Sequence, residues 1–189
     1  QGGNQDWYAE RWQQQAGCGP TSCANLLWYL AKTRPAGGPL WSGETAEKND
    51  FLRLMQKVWS YVTPGGMGVN STRIFTEGAA RYGRESGAPV IAKAMPVPSK
   101  HLQPRRFDAV SEFVGHALER DRPVAFLNLS NGTLENLDSW HWVTLVSLRG
   151  DEALAYDQGE ERWLNLRQWV DTSVMGGGFV TLEVDVQNL

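Results

Sequence analysis

Apolar positions along the chain recur first at helical and then at strand spacing. The first seventeen residues are polar with scattered aromatics, and residues 1–12 read as an arm laid on the surface. Gly19-Pro20 then opens a helical pattern through Leu26, Leu27 and Leu30 that ends near the Pro35-Ala-Gly-Gly break. Phe51, Leu52, Met55, Val58, Trp59 and Val62 predict a second helix within residues 45–62. Asn70 or Ser71 is placed to cap a third, through Ile74, Phe75, Ala79 and Tyr82. From residue 88 the period changes. A strand over 88–97 runs into a Pro-rich turn, and Asp108 is expected to cap a helix carrying Val110, Phe113, Val114, Ala117 and Leu118. Short strands follow over Val124–Leu129, Trp140–Leu148, Ala153–Tyr156, Arg162–Leu166 and Phe179–Val186, punctuated by Gly, Asn and Asp. Helices first and antiparallel-type strands second predict an α+β fold in a single domain spanning 1–189.

Composition narrows the function classes. Apolar residues make up 41% and charged residues 21% of the 189, a globular balance that can bury a sizeable core. The net charge of -3 argues against a dedicated nucleic-acid or anionic-membrane partner. No apolar run approaches the roughly 20 residues of a membrane span, and no signal peptide is visible. Gln1 in place of Met is compatible with a removed leader or further domain. With no disulfide framework, a cytoplasmic location is the first expectation. Cys18 and Cys23, five residues apart, point about 140° away from each other on a helix, which argues against a mutual bond. Three histidines without CxxC or HExxH spacing give no support to a metal. Nine Trp are read mainly as large core residues.

Candidate chemistry concentrates in three segments. In Ala16-Gly-Cys-Gly-Pro-Thr-Ser-Cys23, Pro20 fits a first helical position, which sets Cys18 at the helix mouth facing unsatisfied N–H groups. Such a site favours the nucleophilic thiolate. The flanking Gly17 and Gly19 are expected to let a substrate backbone approach the sulfur. The bland alternative is a small buried Cys before a helix. His141 opens the strand Trp140-His-Trp-Val-Thr-Leu-Val, where alternation sets it on one face with Val143 and Leu145 and Trp142 on the other. A lone histidine there is more often a core residue bonded to backbone. Asp157 ends the next strand before a Gln-Gly turn, and a hairpin would return it alongside His141; alone, it reads as a turn cap.

The order Cys18, His141, Asp157 on a helix and two strands resembles the papain-like cysteine peptidase superfamily. More narrowly, the Cys-Gly-Pro-Thr-Ser helix start resembles the C39-like peptidase group. The resemblance implies a papain-like fold, with a helical N-terminal half packed on a twisted antiparallel sheet. It also implies a peptide or protein substrate and no cofactor. Cys18 would be the nucleophile, His141 the base and Asp157 its orienter. Family members usually carry a Gln six residues before the Cys, whose amide stabilises the oxyanion. Position 12 is Trp here, so Gln13 is the nearest match and Gln14 the runner-up. An acyltransferase with the same triad and a peptide-binding module without catalysis are the rival readings.

The other motifs carry less. His116 reads as a boundary residue and His101 as a loop residue. Asn131-Gly132 reads as a turn, and residues 130–139 as a polar loop bordering the site. Substrate, cleavage specificity and oligomeric state are not legible in the chain.

Overall fold

The computed structural model describes residues 2–43 and 47–188. Helix α1 (Arg11–Ala16) leads through Gly17 into the long α2 (Cys18–Thr33); α3 (Lys48–Trp59) and α4 (Thr72–Ser86) complete the helical half. The second half comprises β1 (Val90–Val97), α5 (Phe107–Glu119), β2 (Val124–Asn128), β3 (His141–Arg149), β4 (Glu152–Asp157), β5 (Glu160–Asn165), α6 (Leu166–Thr172) and β6 (Gly177–Val184). The six strands form one sheet in the order β1-β6-β2-β3-β4-β5, and every neighbouring pair is antiparallel. The fold is the expected α+β arrangement, with the helical half packed on an antiparallel sheet.

Local chemistry explains most boundaries. Ser71 caps α4 by accepting from the Ile74 N–H, as one of the two candidate caps. The same helix stops at Gly87, whose φ of 85° turns the chain so that the Ala88 N–H reaches the Gly83 carbonyl. Helix α5 begins one residue before Asp108, with Arg106 at the cap position. Asp108 therefore acts in the first turn, where a carboxylate suits the positive end of the helix, and not as the cap. The second helix starts at Lys48; residues 45 and 46 of its expected range lie outside the described residues.

The sheet separates two apolar layers, as strand alternation requires. Ala125, Leu127, Trp142, Val180 and Leu182 face α2, α3 and α4. Phe126, Val143, Leu145, Ala155 and Phe179 face α5 and α6. Helix α6 was not anticipated; Leu166, Trp169 and Val170 bury one face over a single short stretch, too brief for a periodic signal. Within the arm expected over residues 1–12, Tyr8 is buried and its hydroxyl donates to the Met55 carbonyl. No helix of the described residues is long and apolar enough to cross a membrane.

Phe126 anchors the second layer, stacked on Phe179 at 4.8 Å and edge-on to Trp169 at 4.7 Å. Phe126→Ala should lower unfolding free energy by about 3–5 kcal/mol in urea titrations. A loss below about 1 kcal/mol, the scale of an ordinary surface change, would contradict that anchoring role.

Candidate active site

Cys18 is the first residue of α2 and half-buried, so its sulfur sits where the first-turn N–H groups have no helical carbonyl to bond. The helix starts two residues earlier than the Gly-Pro pair suggested. Pro20 is its third residue, a position whose N–H is also unpaired in any helix, so the ring is tolerated there. The flanking glycines have another role than the expected one. A Cβ on Gly17 would lie 2.6 Å from the Tyr8 ring, and one on Gly19 would lie 2.7 Å from Val69. Both are spent on packing against the chain itself.

One polar seam fixes α2 against β3. Ser22 and Asn25 follow Cys18 by four and seven residues, on the same helical face. The Asn25 amide donates to Thr144 Oγ1 at 3.0 Å, Thr144 and Ser22 hydroxyls share a bond of 3.1 Å, and Ser22 Oγ donates to the Val143 carbonyl. The main-chain N–H of Gly3 adds a bond to Asn25 Oδ1. This seam sets the helix start beside the first residue of β3, which is His141.

His141 is held from both sides of the chain. Trp140 Nε1–H donates to the Met67 carbonyl at 2.7 Å, and Trp142 Nε1–H donates to the Val69 carbonyl at 2.6 Å. The Trp-His-Trp triplet is therefore a clamp: two indoles grip one loop and leave the imidazole between them. Trp140 sits at φ 60°, a left-handed conformation costing a bulky residue about 1–3 kcal/mol. Trp142 also stacks on Phe75 at 4.7 Å.

Asp157 reaches the imidazole through the hairpin register. Thr144 pairs with Tyr156, so Asp157 lies one residue nearer the His141 end of β3. Its hairpin to β5 turns through Gln158 (φ 52°) and Gly159 (φ 84°), the two positive φ values of a tight type I′ turn. His141 Nε2 and Asp157 Oδ1 are 2.6 Å apart, and both side chains are nearly inaccessible to solvent. The carboxylate accepts, so Nε2 carries the proton and Nδ1 is the free ring nitrogen; Cys18 lines the same small cavity as the ring.

Burial disfavours the charged imidazole, but hydrogen bonds to Asp157 and Cys18, with the charges behind them, outweigh it and raise the pKa to about 10 from an ordinary 6.5. Cys23 differs: it is fully buried among leucines, and desolvation pushes its thiol up.

Three further residues complete the setting. Arg162 Nε lies 3.5 Å from Asp157 Oδ2 and balances the buried carboxylate. It pairs with Ala155 across the hairpin, which puts it on the face of Asp157; an Arg five residues after the Asp, across a two-residue turn, was the available signal. Gln5 lines the small cavity shared by Cys18, His141 and Asp157, with its amide donating to the Gln14 carbonyl at 2.7 Å. Gln14 spends its own amide on the carbonyls of Asp6 and Tyr8. Gln13, half-buried on α1, does not line that cavity. His101 and His116 are both exposed. Asn131 and Gly132 form the expected turn, with Gly132 at φ 61° and the Asn131 amide donating to the Leu134 carbonyl.

The His141–Asp157 pair makes stability depend on pH. Because the folded pKa lies above the ordinary 6.5, the contribution is complete below about 6.5 and is lost as pH rises through about 10. Asp157→Asn should be less stable than the parent by urea titration at pH 6, and the gap should narrow steadily toward pH 10. A gap that is constant across this window would show that the pair does not titrate this way.

No family model and no curated protein matches the chain. Among solved structures it is similar to a protein assigned as a C39-like peptidase from Bacillus anthracis, at 14% identity over 89% of this chain and 88% of that one, with a TM-score of 0.48. It is also similar to the peptidase domain of Streptococcus ComA, a bi-functional ABC transporter involved in a quorum-sensing pathway (9% identity, 90% and 91% of the two chains, TM-score 0.44). A third is the Pseudomonas avirulence protein AvrPphB (11% identity, 96% and 98%, TM-score 0.41). At these identities and TM-scores each residue's role rests on the site itself.

Proposed function

We propose that the protein is a papain-like, C39-like thiol hydrolase that cleaves a peptide or a related amide. One observation supports this reading: a half-exposed cysteine at a helix start lines one small cavity with an imidazole whose Nε2 is bonded at 2.6 Å to a buried carboxylate. Nucleophile, base and orienter are then in the order that acyl transfer needs.

In this mechanism Cys18 Sγ attacks the substrate carbonyl carbon and its proton resides on His141 Nδ1. The oxyanion is received by the backbone N–H of Cys18 and by a glutamine amide. Gln5 is the amide favoured by its position in the cavity wall, while Gln13 is the residue favoured by spacing. The C–N bond breaks as Nδ1 gives its proton to the leaving amine, which leaves a thioester on Cys18. Nδ1 next takes a proton from water, the hydroxide adds to the thioester, and collapse returns the acid and the thiol. Asp157 keeps the Nε2 proton in place throughout and stabilises the imidazolium. No cofactor takes part in these steps.

Active-site labelling tests the first requirement. Iodoacetamide should alkylate Cys18 well before Cys23, read by mass-spectrometric mapping of the folded protein, and His141→Ala should remove most of that preference. Equal labelling of both cysteines would overturn the hydrolase reading in favour of a binding module. Adding a free amine to the turnover assay separates hydrolysis from acyl transfer, since only the latter gives an amide of the added amine.

The glutamines are told apart by kinetics. Gln5→Ala should reduce kcat by about 10²–10³-fold with a smaller change in KM, while Gln14→Ala, which loses only bonds to carbonyls of its own segment, should do much less. A large loss at Gln13→Ala with none at Gln5→Ala would assign the amide to Gln13.

A further inference from the structure

The closing pair of the β4–β5 hairpin is two carboxylates. Asp157 stands directly opposite Glu160 across the Gln158-Gly159 turn, and Arg162, two residues further along β5, shares their face of the sheet. Like charges opposite one another on paired strands are unfavourable, and Asp157 is buried as well. Arg162 lies against both. Its Nε is 3.5 Å from Asp157 Oδ2, and its Nη2 is 3.6 Å from Glu160 Oε2. That Nε is buried and makes no hydrogen bond among the described residues, so it acts on the carboxylate by charge and not by a directed bond. The other oxygen of Asp157 is the one bonded to His141 Nε2. A line of alternating charge thus runs from solvent, where the Glu160 side chain is 76% exposed, through Arg162 and Asp157 to the imidazole.

A buried carboxylate with nothing behind it holds an imidazolium firmly, and a group that holds its proton too firmly is a weak general acid. A guanidinium against the far oxygen offsets part of that charge. The other neighbours do not compete with it. Cys18 of α2 shares the small cavity with the pair, while Gly3 and Gln5 in the same wall carry no charge. Glu135 and Asp138, on the loop before β3, are exposed. Glu161 is turned to the opposite face of β5, where it accepts from the Tyr156 hydroxyl. Among the described residues Arg162 is therefore the one cation beside Asp157 other than the ring itself.

We infer that Arg162 is a positioning residue that acts through Asp157 to loosen the hold of His141 on its proton, and that Glu160 limits this effect by sharing the guanidinium. The inference rests on the thiol-hydrolase reading and deepens it: the proton concerned is the one that Nδ1 gives to the leaving amine as the C–N bond breaks. The signs are fixed by electrostatics. Removing a positive charge raises the proton affinity of the groups around it, and removing a negative charge lowers it. Loss of Arg162 then moves the His141 midpoint to higher pH, and loss of Glu160 moves it to lower pH. A purely orienting role would do the reverse at Arg162, because a carboxylate that swings away from the ring leaves the imidazolium less stable and lowers the midpoint.

The test is an NMR titration of the His141 ring, its Cε1–H resonance assigned by its absence from His141→Ala, together with iodoacetamide labelling of Cys18 and Cys23. Arg162→Gln should raise the His141 midpoint by about one pH unit. Arg162→Lys, which keeps the charge, should stay close to the parent. Glu160→Gln should lower the midpoint by less than Arg162→Gln raises it, since Glu160 is exposed and screened. A midpoint that falls or does not move in Arg162→Gln would overturn the inference, as would a rise in Glu160→Gln or equal shifts in Arg162→Gln and Arg162→Lys. Any of these, with iodoacetamide still favouring Cys18, would leave the hydrolase reading standing. Failure of iodoacetamide to favour Cys18 in the parent would overturn the hydrolase reading, and the part of Arg162 in proton delivery with it.

Discussion

The bond network between α2 and β3 is the constraint on which the site depends. Cys18 and His141 are 123 positions apart in the chain, and each is the first residue of its element. Neither terminus could be placed accurately by apolar packing alone, because apolar contacts tolerate sliding. Ser22, Asn25 and Thr144 remove that freedom with directional bonds one and two turns below the helix start. Since these groups are buried or half-buried, a slip of either element would leave polar atoms unpaired as well as displace the sulfur from the ring. The Ser of the Cys-Gly-Pro-Thr-Ser segment, Ser22, thus has a positional meaning that goes beyond helix initiation.

A second constraint secures the strand end. Strand termini fray, and a histidine at the first position of β3 would ordinarily share that mobility. The two neighbouring tryptophans oppose it by donating to carbonyls two residues apart on one loop. Trp140 adopts a costly backbone conformation to do so, and the strain is held by its hydrogen bond and by the burial of the first five residues of the strand that follows. The same loop packs Val69 against Gly19, so the clamp ties the histidine to the cysteine's own helix turn. One glycine, one valine and two indoles connect the two reactive groups by a path independent of the polar seam.

Much of this was legible in the sequence, and the missing parts share a cause. The alternation that places Trp142 opposite Val143 and the turn after Asp157 are local signals, and the structure has both; the Gly-Pro pair marked the helix but not its first residue, which is Cys18. The indole bonds of Trp140 and Trp142 depend on where residues 67–69 pass, which no periodicity encodes. Nine tryptophans therefore read as core, and several are, but these two act through their N–H groups. Gly17 and Gly19 read as an opening for substrate because their neighbours in space, Tyr8 and Val69, lie nine and fifty residues away. Gln5 escaped notice because the intervening segment folds into a short helix, α1, and brings a distant glutamine to the cavity while carrying Gln13 elsewhere. Residues whose role is set by long-range contact are hidden in proportion to that separation.

The charge on the imidazole depends on what surrounds Asp157. A buried histidine is driven toward its neutral form by desolvation, and here the opposing hydrogen bonds win only because water is kept from Asp157 as well. An open rear cavity would screen the pair and weaken the bond that holds the ring's tautomer. Arg162 meets the remaining cost by standing against the second carboxylate oxygen, so the buried charge is not left alone. The cavity on that side, with Gly3 and Gln5 in its wall, has room for roughly one water molecule. The small polar cavity and the apolar groove lined by Trp12, Met67 and Trp140 adjoin at the helix start: among the described residues Cys18 lines both, so the position of one side chain, set by the α2–β3 bonds, decides how the sulfur stands to each.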